Sequence, residues 1–214
     1  MRFPEPIVRL TPVPYEPIAW SFQRLEQLSI PGPLCAGLER RSLRTFAAPS
    51  LSALSALLWH AARCQETLPS PLGFDLQLRP TPSAGAIHPI HILLELPPNK
   101  AWARYDPVTH QLQVLSEPRA LPNLRRMAED YVRPNDGCLL AFVAEPGMTR
   151  AKYDHPESLI WRDAGVLQGV MAMTAPQTGL GLCLLGLTGD EAIGSLSDQG
   201  QLRGVGVAIV GAQP

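Results

Sequence analysis

Arg79–Leu96 reads RPTPSAGAIHPIHILLEL. Pro80, Pro82 and Pro89 stiffen its first half, while Ser83, Ala84, Gly85 and Ala86 keep the side chains small. That composition lets a flat ligand approach the main chain and use its N–H and C=O groups. Its second half, Pro89–Leu96, is an apolar run of strand length. Taken alone, the stretch is a loop leading into a strand.

Downstream of it, Trp102–Tyr105, the turn DPVTH and Gln111–Leu115 read as a hairpin, and Arg119–Tyr131 as a helix. Cys138–Ala144 (CLLAFVA) is a compact apolar run of buried-strand length. The longest helix signal runs from Ser158 to Thr178, with Gly179 as its stop. A strand at Leu182–Leu187, a short helix at Asp190–Leu196 and a last strand at Gly204–Val210 complete the chain. Upstream, Gln65–Pro82 shows no sustained period and reads mostly as loop. SLSALSALLWHAARC, Ser50 to Cys64, is amphipathic at helical spacing with Ser50 as N-cap. The first 38 residues carry seven prolines from Pro4 to Pro33 and one helical candidate, Ile18–Leu28. They read as an arm, residues 1–38, lying over a domain, residues 39–214, or over a partner subunit. The irregular alternation, with a hairpin inside, predicts an α+β fold: a mixed or antiparallel sheet flanked by helices, one of them long and central.

Hydrophobic residues make up 45% of the 214 and charged residues 17%, enough apolar surface for a core. A formal net charge of -1 argues against nucleic acid or a membrane surface held by bulk electrostatics. The start, MRFPEPIVRLTPVPYEP, has no signal-peptide pattern, and no apolar run approaches the ~20 residues of a membrane span. The expectation is a soluble, cytoplasmic protein. Cys35, Cys64, Cys138 and Cys183 form no CxxC pair and read as free thiols.

The densest cationic run is ERRSLRTF, Glu39 to Phe46. Arg40, Arg41 and Arg44 surround the Ser42 hydroxyl just before a helix, and guanidinium forks with a hydroxyl and free N–H groups suit a phosphate dianion. A solvated face is the other reading. In AKYDHPE, Lys152 stands beside Tyr153. Adjacent side chains usually diverge, and these two become acid/base candidates only if burial or a neighbouring charge lowers one pKa. His88 and His91 are spaced as HxxH where a strand begins, where they would not share a face, so no metal site is expected. GVGVAIVG near the end has no helix after it and is not a dinucleotide fingerprint.

Together, in order, these pieces resemble the nitroreductase-like FMN flavoprotein superfamily, on its SagB-type (peptide azoline) dehydrogenase branch. RRSLRTF is similar to the family's RRSxRxF opening. RPTPSAGAIHPIHILLEL with ARYDPVTHQLQVL resembles the branch's Pro-Ser-x-Gly segment and hairpin. Lys152-Tyr153 followed by RDAGVLQGVMAMTAPQTGLGLCLLG resembles its Lys-Tyr motif, long helix and helix-to-strand passage, and GVGVAIVG its closing strand. In that helix Gly169 falls where many relatives have glutamine.

The resemblance implies a nitroreductase-like fold in an intertwined homodimer. It places Arg40, Arg41, Ser42 and Arg44 on the FMN phosphate, ribityl chain and pyrimidine edge. Pro82, Ser83, Ala84 and Gly85 would line the isoalloxazine ring from the other subunit, and Leu185 and Gly186 would approach the ring. Lys152 and Tyr153 would be the catalytic acid/base pair. The activity it implies is FMN-dependent dehydrogenation of a modified peptide, thiazoline or oxazoline to thiazole or oxazole, alongside biosynthetic partner proteins. Two alternatives stay open: an NAD(P)H-dependent nitro or quinone reductase, and a flavin-free, non-catalytic partner in a biosynthetic complex.

Overall fold

A computed structural model of the chain describes residues 5–6, 22–27, 40–97 and 99–214. Two strands come first, β1 (Glu5–Pro6) and β2 (Phe22–Gln27), followed by α1 (Leu51–Ala62) and a small hairpin, β3 (Glu66–Leu68) and β4 (Leu76–Leu78). Next are β5 (Ile90–Leu96), β6 (Ala101–Asp106), β7 (Gln111–Leu115), α2 (Asn123–Glu129) and β8 (Cys138–Ala144). The chain ends with α3 (Pro146–Arg150), β9 (Tyr153–Asp154), α4 (Glu157–Thr174), β10 (Leu180–Leu184), α5 (Asp190–Gly194) and β11 (Arg203–Ala212).

The body is a seven-stranded sheet in the order β10-β11-β8-β5-β6-β7-β2, antiparallel at every pairing. The strand β8 lies inside it, and all of its residues are buried. Successive side chains of a strand point to opposite faces. Cys138, Leu140, Phe142 and Ala144 accordingly join one core, while Leu139, Ala141 and Val143 join the other. A strand covered on both faces needs an unbroken apolar run, which is why CLLAFVA shows no alternation.

On the first face, α1 contributes Leu54, Leu57 and Leu58, and α4 contributes Ile160, Ala164, Leu167 and Met171. The start of α1 is set by Ser50, whose Oγ accepts the Ala53 N–H at 3.2 Å. After α4 a 3-10 turn, Ala175–Thr178, runs into Gly179 at φ 75°, the left-handed stop that glycine supplies without strain. On the second face, Leu121, Leu124 and Ala128 around α2 pack with Ala192 and Ile193 of α5. There the buried Glu95 carboxylate of β5 accepts from Arg125 Nε at 3.0 Å and Nη2 at 2.5 Å. Arg125 also donates to the Gly137 carbonyl at 2.8 Å, so one guanidinium ties α2 to the sheet and to the turn before β8.

The expected α+β fold is present, with a fully antiparallel sheet among the described strands. Three local expectations are corrected. Phe22–Gln27 is a strand, not part of a helix, because it pairs with the free edge of β7, Phe22 opposite Leu115; the rest of the Ile18–Leu28 candidate lies outside the described residues. Between Gln65 and Pro82, β3 and β4 form a hairpin where loop was expected. Its β3 residues are all exposed, so no burial pattern marks it in sequence. Finally, β10 starts two residues earlier than expected, at Leu180, because its ladder with β11 begins right after the Gly179 turn, Leu180 opposite Ala212.

Candidate functional site

The segment Pro82–Gly85 is pinned from beneath. Thr81 Oγ1 donates to the Ala61 carbonyl at the end of α1 at 2.6 Å. Ser83 Oγ donates to Asp163 Oδ2 at 2.5 Å, and the Ala84 N–H reaches the same carboxylate at 3.1 Å. Ser83 Oγ in turn accepts the His88 N–H at 2.9 Å. Asp163 is buried on α4, and burial pushes its carboxyl above the usual range, against the pull of the Ser83 hydroxyl and the Ala84 amide. The clamp holds a 3-10 turn, Ala84–Ala86, with Gly85 at φ 64° and the non-glycine residues Ala86 at 59° and His88 at 52°. Left-handed alanine and histidine cost about 1–2 kcal/mol each, and such strain persists where the surroundings over-determine it.

Lys152 and Tyr153 close over that turn. Lys152 follows α3 in a tight turn, its N–H donating to the Thr149 carbonyl at 3.1 Å, and Tyr153 pairs with Pro6 across the β1–β9 ladder. Lys152 Nζ donates to the Gly85 carbonyl at 3.4 Å. A Cβ placed on Gly85 would stand 2.9 Å from both Lys152 Nζ and Tyr153 Oη, so any other residue there would push the pair aside and strain the left-handed backbone. Lys152 Nζ lies 5.9 Å from the Tyr153 ring centroid, within cation–π range, and both residues are half-buried. An amine and a phenol thus converge on one stretch of backbone, although their adjacency in sequence predicted divergence.

The arginine run lies elsewhere. Ser42 bridges Leu182 in parallel fashion, and Leu43 packs over Gly181 where a Cβ would collide with it. Ala47 and Ala212 exchange two backbone hydrogen bonds of 3.0 Å, which fixes the segment along the sheet edge. Arg40, Arg41, Ser42 and Arg44 remain exposed. Arg40 Nη1 donates to Ser42 Oγ at 3.3 Å, and Arg44 lies near enough to Cys183 to oppose the upward push of burial on that thiol. Arg40 and Ser42 border an open cavity of about 450 Å³ whose other walls are Gly169, Ala172, Met173, Leu182 and Leu184. Beyond the backbone of its own helix and its chain neighbours, nothing lies within 4 Å of a Cβ built on Gly169, so this position of α4 faces open space.

No family model matches the chain, and no curated protein matches it. Solved structures do. A Ralstonia eutropha protein classed with the nitroreductases is 24% identical with a TM-score of 0.67, over 100% of this chain and 99% of its own. One from Anabaena variabilis, classed the same way, is 21% identical with a TM-score of 0.58, over 88% of this chain and 42% of its own.

The fold is nitroreductase-like.

A chain from the E. coli microcin synthetase McbBCD complex with truncated pro-MccB17 bound shares that fold, with 16% identity and a TM-score of 0.56 over 98% of this chain and 78% of its own. On the nitroreductase-like frame, the expected residues fall in two groups. Lys152, Tyr153 and Gly85 meet within one chain; Arg40 and Ser42 border the other cavity. Among the described residues, no hydrogen bond joins the two groups, which sit at different turns of α4. Asp163 anchors the first and Gly169 opens the second, about 9 Å apart along the axis at 1.5 Å per residue. Of the helix-to-strand passage, Leu184 borders the arginine cavity. Leu185 is tied to Val207 through its N–H at 2.9 Å, and exposed Gly186 faces the Tyr131 ring.

Two features escaped the sequence. Asp163 was not a candidate, yet it holds the whole Ser83–Ala84 turn. The available signal was a carboxylate set among Ile160, Ala164 and Leu167 on the apolar stripe of α4. His88 and His91 were expected on different faces but border one cavity. His88 precedes β5 in a left-handed conformation, so strand alternation does not govern it.

Proposed function

We propose that the chain is an FMN-dependent oxidoreductase that dehydrogenates a modified peptide, thiazoline or oxazoline to thiazole or oxazole. The observation that carries this reading is the convergence of Lys152 Nζ and Tyr153 Oη on the Gly85 backbone, from a segment 67 residues away. A substrate carbon lying on Pro82–Gly85 would be within reach of an amine base and a phenolic acid.

The residues present fit FMN. Arg40 and Ser42 offer a guanidinium fork and a hydroxyl at one end of an open cavity, and Leu182, Leu184 and Met173 give it an apolar wall. Arg41 and Arg44, exposed on the same segment, would add to the positive field around the phosphate. FMN, when bound, supplies a two-electron hydride acceptor. The chain's own residues do the rest. Asp163 fixes Ser83 and Ala84, the turn presents its backbone to the flat ring, Lys152 takes the proton from the substrate carbon, and Tyr153 hydrogen-bonds the ring heteroatom. Assembly across a homodimer would bring the arginine cavity of one protomer to the Gly85 turn of its partner, consistent with the separation of the two groups in one chain. The likeness to a chain of the McbBCD complex supports a biosynthetic setting with partner proteins.

The test is a thiazoline-containing peptide incubated with FMN-loaded protein under air and followed by mass spectrometry. The wild type is expected to remove two hydrogens, Lys152→Ala to keep the flavin and lose at least a hundredfold in rate, and Tyr153→Phe to lose less. Full turnover by Lys152→Ala would remove Lys152 from the chemistry. Bleaching of the flavin by NAD(P)H, with no peptide oxidation, would favour the reductase reading.

A further inference from the structure

A second cavity, of about 430 Å³, lies at the end of the sheet where β5 begins and β6 finishes, beside the β3–β4 hairpin. Arg79 and Arg104 border it, and so do the carboxylates of Asp75, Asp106 and Glu145, of which Asp75 is exposed to water. Asp106 also accepts the Val108 N–H at 3.0 Å and the Thr109 hydroxyl at 2.7 Å, and Glu145 lies 2.7 Å from His91 Nε2. Burial holds both histidines of the lining, His88 and His91, toward their neutral forms. The lining therefore calls for no charged ligand. What it offers is uncharged hydrogen-bonding capacity beside apolar surface.

Gln77 in β4 organises that capacity. Its side-chain Oε1 accepts from Arg79 Nε at 2.9 Å and Nη2 at 2.7 Å, and its backbone carbonyl accepts the ring N–H of His88. A neutral imidazole that donates from one nitrogen keeps an acceptor lone pair on the other. Among the described residues that second nitrogen meets no donor, although His88 is only 8% exposed. Half-buried Arg79 likewise keeps Nη1 without an acceptor among the described residues. A buried acceptor without a donor is costly, and a ligand that supplies one relieves that cost. One acceptor and one donor, tied through the same glutamine, thus border one cavity, with Ile87, Phe74 and Met148 as its apolar side.

We propose that this cavity binds one residue of an extended, uncharged peptide, its N–H donated to His88, its C=O accepting from Arg79, and its side chain against Ile87, Phe74 and Met148. In an extended chain the N–H and C=O of one residue point to the same side, which matches a donor and an acceptor held by one glutamine. A peptide group also adds no charge to the lining, and the volume is that of a small-ligand pocket. Ile87 and His88 continue the segment that carries Gly85, and Met148 belongs to the one that leads to Lys152. The bound residue is therefore assigned to the substrate itself, beside the azoline. That assignment rests on the function proposed above; the peptide subsite does not.

The test uses N-acetyl-leucine N-methylamide on the full-length protein, with and without added FMN. Calorimetry is expected to show saturable binding with the same Kd in both conditions. Methylating the leucine nitrogen of the probe removes the N–H meant for His88 and should weaken binding about tenfold or more, as should Arg79→Met. N-acetyl-leucine, which ends in a carboxylate, should bind no more tightly than the neutral probe. Independently of any variant, the neutral probe should shift the NMR signal of the unprotonated ring nitrogen of His88 in the wild type without protonating it. Absence of binding, equal binding of the N-methylated probe, undiminished binding in Arg79→Met, tighter binding of the carboxylate or an unmoved His88 signal would each overturn the proposal. Probe binding without oxidation of a thiazoline peptide would uphold the subsite and remove the dehydrogenase reading, whereas oxidation without probe binding would do the reverse.

Discussion

Two segments proposed to hold the same cofactor are built in opposite ways. Pro82–Gly85 is set from the inside: a buried carboxylate takes its hydroxyl and its amide, and strained left-handed residues follow. Arg40–Arg44 is fixed only through its backbone on the sheet edge, and its functional side chains stand in water. The first segment is preorganised before any ligand arrives; the second owes its side-chain order to whatever binds it. Substitutions in the first should therefore act on folding and function together, whereas those in the second should act on ligand retention alone.

The largest effect is expected at the clamp. Asp163→Ala leaves the Ser83 hydroxyl and the Ala84 N–H without their acceptor, at a cost of about 3 kcal/mol by urea unfolding. Asp163→Asn keeps an acceptor and removes a buried charge whose ionisation burial disfavours, so it should cost under about 1 kcal/mol. An equally small loss for the alanine variant would break the contrast between the two segments. Gly85→Ala places a Cβ against Lys152 Nζ and Tyr153 Oη at a left-handed position. A loss of about 1–2 kcal/mol is expected, together with loss of peptide oxidation.

A pH dependence sharpens the same comparison. Burial, with Arg79 beside it, pushes His88 from 6.5 down to about 3. The folded state thus keeps His88 neutral between about 6.5 and about 3, while the unfolded chain takes up a proton. Stability is complete above that window and falls as pH drops through it, by at most ~1.4 kcal/mol per pH unit from this residue. His88→Asn, which tolerates the left-handed backbone, should flatten the slope between pH 6 and 4 by about that amount; an unchanged slope would place the titration elsewhere. The smallest effect on stability is expected at the other segment. Arg40→Ala and Arg44→Ala should unfold within about 0.5 kcal/mol of wild type yet retain less FMN. Unchanged flavin occupancy in both would sink the phosphate assignment.

The contrast also explains what could be read in the sequence. Elements defined by local pattern were legible: the Ser50 cap and amphipathic α1, the unbroken apolar run of β8, the stop of the long helix at Gly179. Elements defined by distant partners were not. The strand β2 exists because the edge of β7 accepts it, and local propensity over Phe22–Gln27 pointed to a helix. The exposed β3–β4 hairpin buries too little to leave a pattern. Within the site, the arginine run and the small-residue loop stood out by composition, and Lys152-Tyr153 by resemblance. Asp163 did not, because its meaning depends on Ser83, 80 residues away, and one carboxylate on an apolar stripe is easily passed over.

The central claim is that this nitroreductase-like chain holds FMN between these two differently built segments. An absorption spectrum of the purified protein, taken after FMN addition and desalting, tests it most directly. The account predicts retained bands of oxidised flavin at stoichiometric occupancy in the wild type. Complete loss of flavin on desalting would contradict it and leave a non-catalytic partner as the reading of this fold.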